Sequence, residues 1–178
     1  LGIQPLCQRQ EYLQVTLRLH KATHHPKSRD QRIVDGIRPW KILPCEGRLI
    51  IGEERDPVRK TVSLFCVRLD DGSVRWKGLT PGESWWTGIE VVHQGVIIVH
   101  EYPVPSMPDH GSIIAIDAAR GERIWENRDL AFAFASGGRI CGSRDLFDRR
   151  AFFEVDIATG AAGRELTADE ATAIRDSG

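Results

Sequence analysis

The residues of this chain with the most chemical potential fall in two short clusters. One is Glu83-Ser84-Trp85-Trp86-Thr87-Gly88, where two indoles beside a carboxylate offer a stacking platform for a sugar, a base or another aromatic ligand. Adjacent residues of a strand point to opposite faces, so a strand here would send one indole inward and the other out. The plainer expectation keeps one ring in the core and packs the other between sheets or against a loop. The second cluster is Glu53-Glu54-Arg55-Asp56. Alternation puts Glu53 and Arg55 on one face, where they can pair or hold a polar ligand. Solvated hairpin charges are the plainer expectation there, and an exposed pair adds little stability. The proline-rich stretch 101–111, EYPVPSMPDHG, reads as a stiff exposed loop, a common place for function on a rigid scaffold. Its Asp109 and His110 reach the tryptophans only if the loop folds back over its own sheet. An enzymatic reading requires two carboxylates at a suitable separation, with Glu53, Glu83 or Asp109 as acid or base on a carbohydrate or other polar small molecule.

Other reactive residues point less clearly to chemistry. His20, His24 and His25 have a spacing that suits a metal on a helix, but Pro26 and the polar surroundings favour a loop. Cys7, Cys45, Cys66 and Cys141 are scattered, without a CxxC pair, and read as buried or idle thiols. His93 and His100 read as strand histidines with local partners. Hydrolase, zinc-protease, P-loop and dinucleotide motifs are missing, and Ser136-Gly137-Gly138 is a turn signal. No cofactor and no metal are expected.

Composition bounds the classes. A chain of 178 residues, 41% hydrophobic and 28% charged, is enough for one domain with a core. A net charge of −1 with both signs interspersed removes the simplest argument for nucleic-acid or anionic-membrane binding. No apolar run approaches the ~20 residues of a membrane span. A soluble, cytoplasmic protein is the expectation, although the first residue is Leu and an export signal could precede it.

The elements that must position these residues read as short strands. Apolar runs at Arg48–Gly52, Val62–Leu69, Ile89–His93, Val96–His100, Ile113–Ile116 and Phe152–Ile157 alternate with Gly, Asp and Pro. That spacing predicts antiparallel sheets rather than βαβ units. Residues 12–19, YLQVTLRL, alternate as one further strand. After Leu166 a short helix is expected, because Thr167 and Glu170 have capping-box spacing. The expected division is an N-terminal strand and polar connection over 1–32, a β-repeat domain over 33–166 and a helical tail over 167–178.

The repeat is explicit. FCVRLDDGSVRW (65–76), IAIDAARGERIW (114–125) and FEVDIATGAAGR (153–164) align on Gly72, Gly121 and Gly160. Trp76 and Trp125 follow their glycines by four residues, with Arg164 in that place in the third copy; Asp117 and Asp156 precede theirs by four, where the first copy has Arg68. Trp40 looks like the end of a preceding unit. Glycine supplies the positive φ of a tight turn and aspartate bonds the turn amides. Landmarks spaced by roughly 35–50 residues suit one propeller blade per repeat. The expected fold is therefore all-β: about three to four propeller-like units of antiparallel strands, open or incomplete, with a short C-terminal helix.

These residues resemble the repeat of quinoprotein-like propellers, the pyrroloquinoline-quinone type, best seen in AIDAARGERIW. The order GEERD, TVSLFCVRLDDG, ESWWTGIE, DHGSIIAIDAARGERIW is also similar to an uncharacterised bacterial family of propeller-like proteins known only as a domain of unknown function. That likeness covers Trp40 to Leu166 and implies no activity. A quinone site would call for adjacent cysteines and an acid cluster, which this chain does not offer. The functional expectation is a non-catalytic binding or scaffolding module for an unidentified protein or small polar ligand. Trp85, Trp86, Glu53, Arg55 and His110 are its candidate contacts. The alternatives are the enzyme described above and a fragment of a longer propeller. Three or four units do not close a large ring, so a second copy or further chain would have to complete it.

Overall fold

A computed structural model describes residues 38–102 and 111–177. The predicted strand at 12–19, the histidines 20, 24 and 25, Cys7, Asp109 and His110 lie outside the described residues. Within them the chain forms three four-stranded antiparallel sheets, each a simple meander, followed by one helix. Sheet 1 comprises β1 (Arg38–Cys45), β2 (Leu49–Asp56), β3 (Thr61–Arg68) and β4 (Val74–Leu79). Sheet 2 comprises β5 (Thr87–His93), β6 (Val96–Glu101), β7 (Ile113–Asp117) and β8 (Glu122–Asn127). Sheet 3 comprises β9 (Ala131–Ser136), β10 (Arg139–Asp145), β11 (Arg150–Val155) and β12 (Ala162–Leu166). No barrel closes.

The core lies between the sheets. Leu49, Ile51, Val62, Leu64 and Cys66 of sheet 1 meet Ile89, Ile97, Val99, Ile114 and Ile116 of sheet 2. On the opposite face of sheet 2, Ile98, Ile113 and Ala115 pack against Phe132, Ile140 and Val155 of sheet 3 and against Leu130 just before it. Sheet 2 is thus buried on both faces, which is why β6 and β7 read as the unbroken runs VIIV and IIAI instead of alternating.

The three predicted turns share one construction. The N–H of Gly72, Gly121 and Gly160 donates to the carbonyl of Arg68, Asp117 and Asp156 at 3.0, 2.8 and 2.8 Å. Asp117 accepts the N–H groups of Ala119 and Arg120, and Asp156 those of Ala158 and Thr159. In the first copy, where Arg68 replaces the aspartate, Asp71 takes the N–H of Ser73 instead.

Two of these turns, those of Gly121 and Gly160, also receive the preceding sheet. Trp76 Nε1, from the outer strand of sheet 1, donates to the Ala118 carbonyl at 2.9 Å; Trp125 Nε1, from sheet 2, donates to that of Ile157 at 2.8 Å. Ala118 and Ile157 each follow the turn aspartate, so the two joints are equivalent. The rings lie over the turn glycines: a Cβ on Gly121 would sit 2.8 Å from the Trp76 indole, and one on Gly160 would sit 2.4 Å from that of Trp125.

The third copy has no indole to offer. Arg164 turns instead to Glu170 at the start of α1 (Ala168–Asp176), while Leu166, Ala171 and Ile174 bury Cys141 beneath the helix. Thr167 and Glu170 form the predicted capping box. Trp40 departs from expectation. It lies in β1, the first strand of sheet 1, with 71% of its surface exposed, so it does not occupy the place of Trp76 and Trp125.

Two outcomes test this account. Gly95 and Gly160 share a φ of +73°, but a Cβ on Gly95 meets nothing within 4 Å. Gly160→Ala should therefore cost about 1–3 kcal/mol more than Gly95→Ala in urea unfolding, the range of an overpacked contact; equal losses would remove the indole from the list of constraints. Second, the Arg164 guanidinium and the Thr167 N–H hold the Glu170 carboxyl down at about 2. A depressed carboxylate stabilises fully above its unfolded value of 4.5 and loses that contribution as pH falls toward 2. Carboxyl NMR titration should find its midpoint there, and helix signal should fade in that window.

Candidate functional site

The Glu53–Arg55 pair marks the junction of sheets 1 and 2. Both residues lie on β2, two apart and so on one face, and Arg55 Nε donates to Glu53 Oε1 at 2.6 Å. The pair is not the solvated hairpin pair that the charged run suggests: Glu53 is 1% exposed. It reaches the open edge of β5. Glu53 Oε2 accepts the Ile89 N–H at 3.0 Å, while Arg55 donates to the Trp85 carbonyl at 3.2 Å and the Thr87 carbonyl at 2.7 Å. Lys41 of β1 adds a bond to the Ile89 carbonyl at 2.6 Å. Backbone groups that have no neighbouring strand are therefore satisfied by side chains of sheet 1.

The aromatic residues surround this pair. Arg55 Cζ lies 5.4 Å from the Trp40 ring centroid and 5.3 Å from that of Trp85, and Lys60 Nζ lies 4.7 Å from the Trp85 centroid. The two adjacent tryptophans are not in a strand, because β5 begins at Thr87 and residues 82–86 form bends. Glu83 sets that bend: one carboxylate oxygen accepts the N–H groups of both Trp85 and Trp86. Burial pushes the Glu83 carboxyl up, but the N–H donors of Trp86 and Trp85 outweigh it and hold it below the usual carboxylate range. Trp85 packs on the core and Trp86 is 38% exposed. The structure therefore brings Glu53, Arg55 and Trp85 together, adds Trp40 and Lys60, and leaves Trp86 at the rim. Glu53 and Glu83 are both engaged with backbone.

Two buried residues that the sequence reading did not select for the site occupy the place of Glu53 in the other sheets. Glu53, His100 and Ser143 stand opposite Leu64, Ile113 and Phe152, each eight residues ahead of its turn glycine. All three side chains are buried. His100 Nδ1 lies 2.6 Å from Glu90 Oε1, and its ring meets Tyr102 edge-on at 4.4 Å. Gly88, opposite His100, leaves space where that imidazole, Glu53 and Arg55 converge: a Cβ there would lie 3.3–3.4 Å from all three. Counting back from the repeat glycine would find these positions once the hairpin register is known.

The described cysteines are poorly suited to thiolate chemistry. Cys45, Cys66 and Cys141 are free thiols, and burial pushes the latter two up to about 11, far from thiolate chemistry at neutral pH. Among the described residues no group of three or more His, Cys, Asp or Glu converges on a metal site. Nor is any helix among them long and apolar enough to cross a membrane.

Residues 44–125 match the model of a family described only as a domain of unknown function (DUF4905). The match agrees with the likeness to an uncharacterised family seen in the sequence. It runs from the end of β1 to Trp125, taking in the Glu53–Arg55 pair and both sides of the Trp76 joint, and stops before sheet 3. No curated protein matches the chain.

Removing Glu53 tests the pair. Glu53→Ala strands both the Arg55 guanidinium and the Ile89 N–H and should cost about 3–5 kcal/mol in urea unfolding. Glu53→Gln keeps an acceptor for Ile89 and should cost about 1–3 kcal/mol. A loss of a few tenths in both would show the pair to be a surface contact.

Proposed function

We propose that the chain is a binding or scaffolding module on a β-propeller-like body, with no catalytic chemistry of its own. The observation that carries this reading is the employment of the two described acids an enzyme would need. Both oxygens of Glu53 are taken by Arg55 and Ile89, and Glu83 is spent on the amides of its own bend. A general acid or base must instead present its proton site to a substrate. The propeller-like part of the reading rests on the repeated Trp-to-turn joint, which relates successive sheets in the same way, and on the resemblance to the quinoprotein-like repeat.

The end of the module formed by the β2–β3 turn and the β4–β5 connection is the natural contact surface. Val58, 84% exposed, stands there with Trp86 and the open face of Trp40. Exposed aromatic side chains beside guanidinium and ammonium groups suit a small polar ligand or a protein loop.

A panel of chromogenic glycosides and esters should be turned over no faster than in buffer. Turnover abolished by Glu53→Gln or Glu83→Gln in a folded protein would replace this reading with the enzymatic one. Titration with oligosaccharides and peptides, followed by tryptophan fluorescence, should give saturable changes that Trp40→Ala or Trp86→Ala removes.

A further inference from the structure

We propose a second binding site, for a small aromatic carboxylate, in the cavity between sheet 3 and α1. This inference goes beyond the module reading and uses a different part of the chain. The cavity measures about 440 Å³, within the range of small-molecule sites. It exists because α1 is only nine residues long and covers only part of the outer face of sheet 3. Where Ala171 and Ile174 close over Cys141, that face is sealed; around Ser143 and Phe152 it is open.

Three features define the ligand. The walls are aromatic: Phe134 and Phe152, partly buried with ring centroids 6.3 Å apart at 45°, both line the cavity. A planar ring is the complementary shape, since offset and tilted aromatic contacts are favoured. A lone donor is available. Ser143 is 6% exposed and lines the cavity, two residues along β10 from Cys141 and thus on the same face. Its hydroxyl has no hydrogen-bond partner among the described residues. A hydroxyl open to the cavity can donate to a ligand oxygen.

The third feature is charge. The charged lining groups are Asp145, Arg150 and Arg175. Asp145 is taken by Arg150 through two bonds of 2.7 and 3.2 Å. Arg175 makes one long contact of 3.4 Å, through Nε to Asp176, and its two terminal nitrogens have no partner among the described residues. The lining therefore carries one net positive charge, with a guanidinium fork open to a carboxylate. The acidic head is assigned to Arg175 and the Ser143 hydroxyl, and the ring to the slot beside Phe134 and Phe152.

The test uses benzoate and phenylacetate, with benzamide as the neutral isostere, against the full chain labelled for 1H–15N spectra. Both acids should shift the signals of Ser143, Phe152, Thr172 and Arg175 saturably. Benzamide should bind about tenfold more weakly, the weight of one charge-assisted contact. Arg175→Gln, at an exposed helix position, should bring benzoate down to the level of benzamide without changing benzamide binding. Thr172→Phe fills the cavity from the exposed helix surface and should abolish binding of both, with the melting temperature confirming the fold. Absence of shifts up to about 10 mM, weaker than any useful affinity, would overturn the site. Equal binding of benzamide would overturn the carboxylate, and undiminished binding in Thr172→Phe would overturn the location. None of these results bears on the Trp40 surface, whose ligands are read from tryptophan fluorescence.

Discussion

The contact on which the rest of the molecule depends is the indole of one sheet laid over the turn glycine of the next. A four-stranded meander exposes two faces, and apolar ones must find a neighbour. Burial of isoleucine and valine supplies most of the attraction here, but burial is non-directional. The indole N–H is directional: it has one acceptor, the carbonyl after the turn aspartate, at 2.8–2.9 Å at both joints. A single such bond is worth only about 1 kcal/mol net. Its effect is to fix where one sheet sits on the next, and glycine at positive φ keeps the turn surface clear for the ring.

The inner edges pose the complementary problem. β5 begins a sheet, so one side of it has no strand to pair with, and unpaired edges invite the wrong partner. Side chains of sheet 1 occupy that edge: a carboxylate takes an N–H, while a guanidinium and an ammonium take carbonyls. The buried carboxylate and the guanidinium are tolerated there because each meets both an opposite charge and a backbone group. The same position carries an imidazole in sheet 2 and a hydroxyl in sheet 3, so the three sheets share a framework without sharing a polar device. Sheet 3 ends differently again, with a capped helix in place of an indole, and the incomplete cover it gives leaves the aromatic cavity open.

Much of the framework was legible because it is local. The turn glycines, the aspartate four residues before two of them and the capping box at Thr167 are set by backbone conformation over four or five residues. The continuous apolar runs also announce strands covered on both faces. The site was less legible. Glu53, Arg55 and Trp85 were singled out for their chemistry, yet a charged run after a strand looks the same whether it faces water or a neighbouring sheet. Trp85 and Trp86 looked like strand residues, and the carboxylate that bends them away lies only two residues earlier.

By itself, the sequence determined the all-β antiparallel class, the shared turn construction and the helix cap, since these follow from φ preferences and short-range hydrogen bonds. Only the tertiary structure decided that Glu53 is buried, that Trp40 stands outside the repeat, and that His100 and Ser143 occupy the place of Glu53. The physical reason is the same in each case. Burial and pairing across sheets depend on hairpin register and on the placement of a second sheet, and the loops that set these differ in length from one repeat to the next.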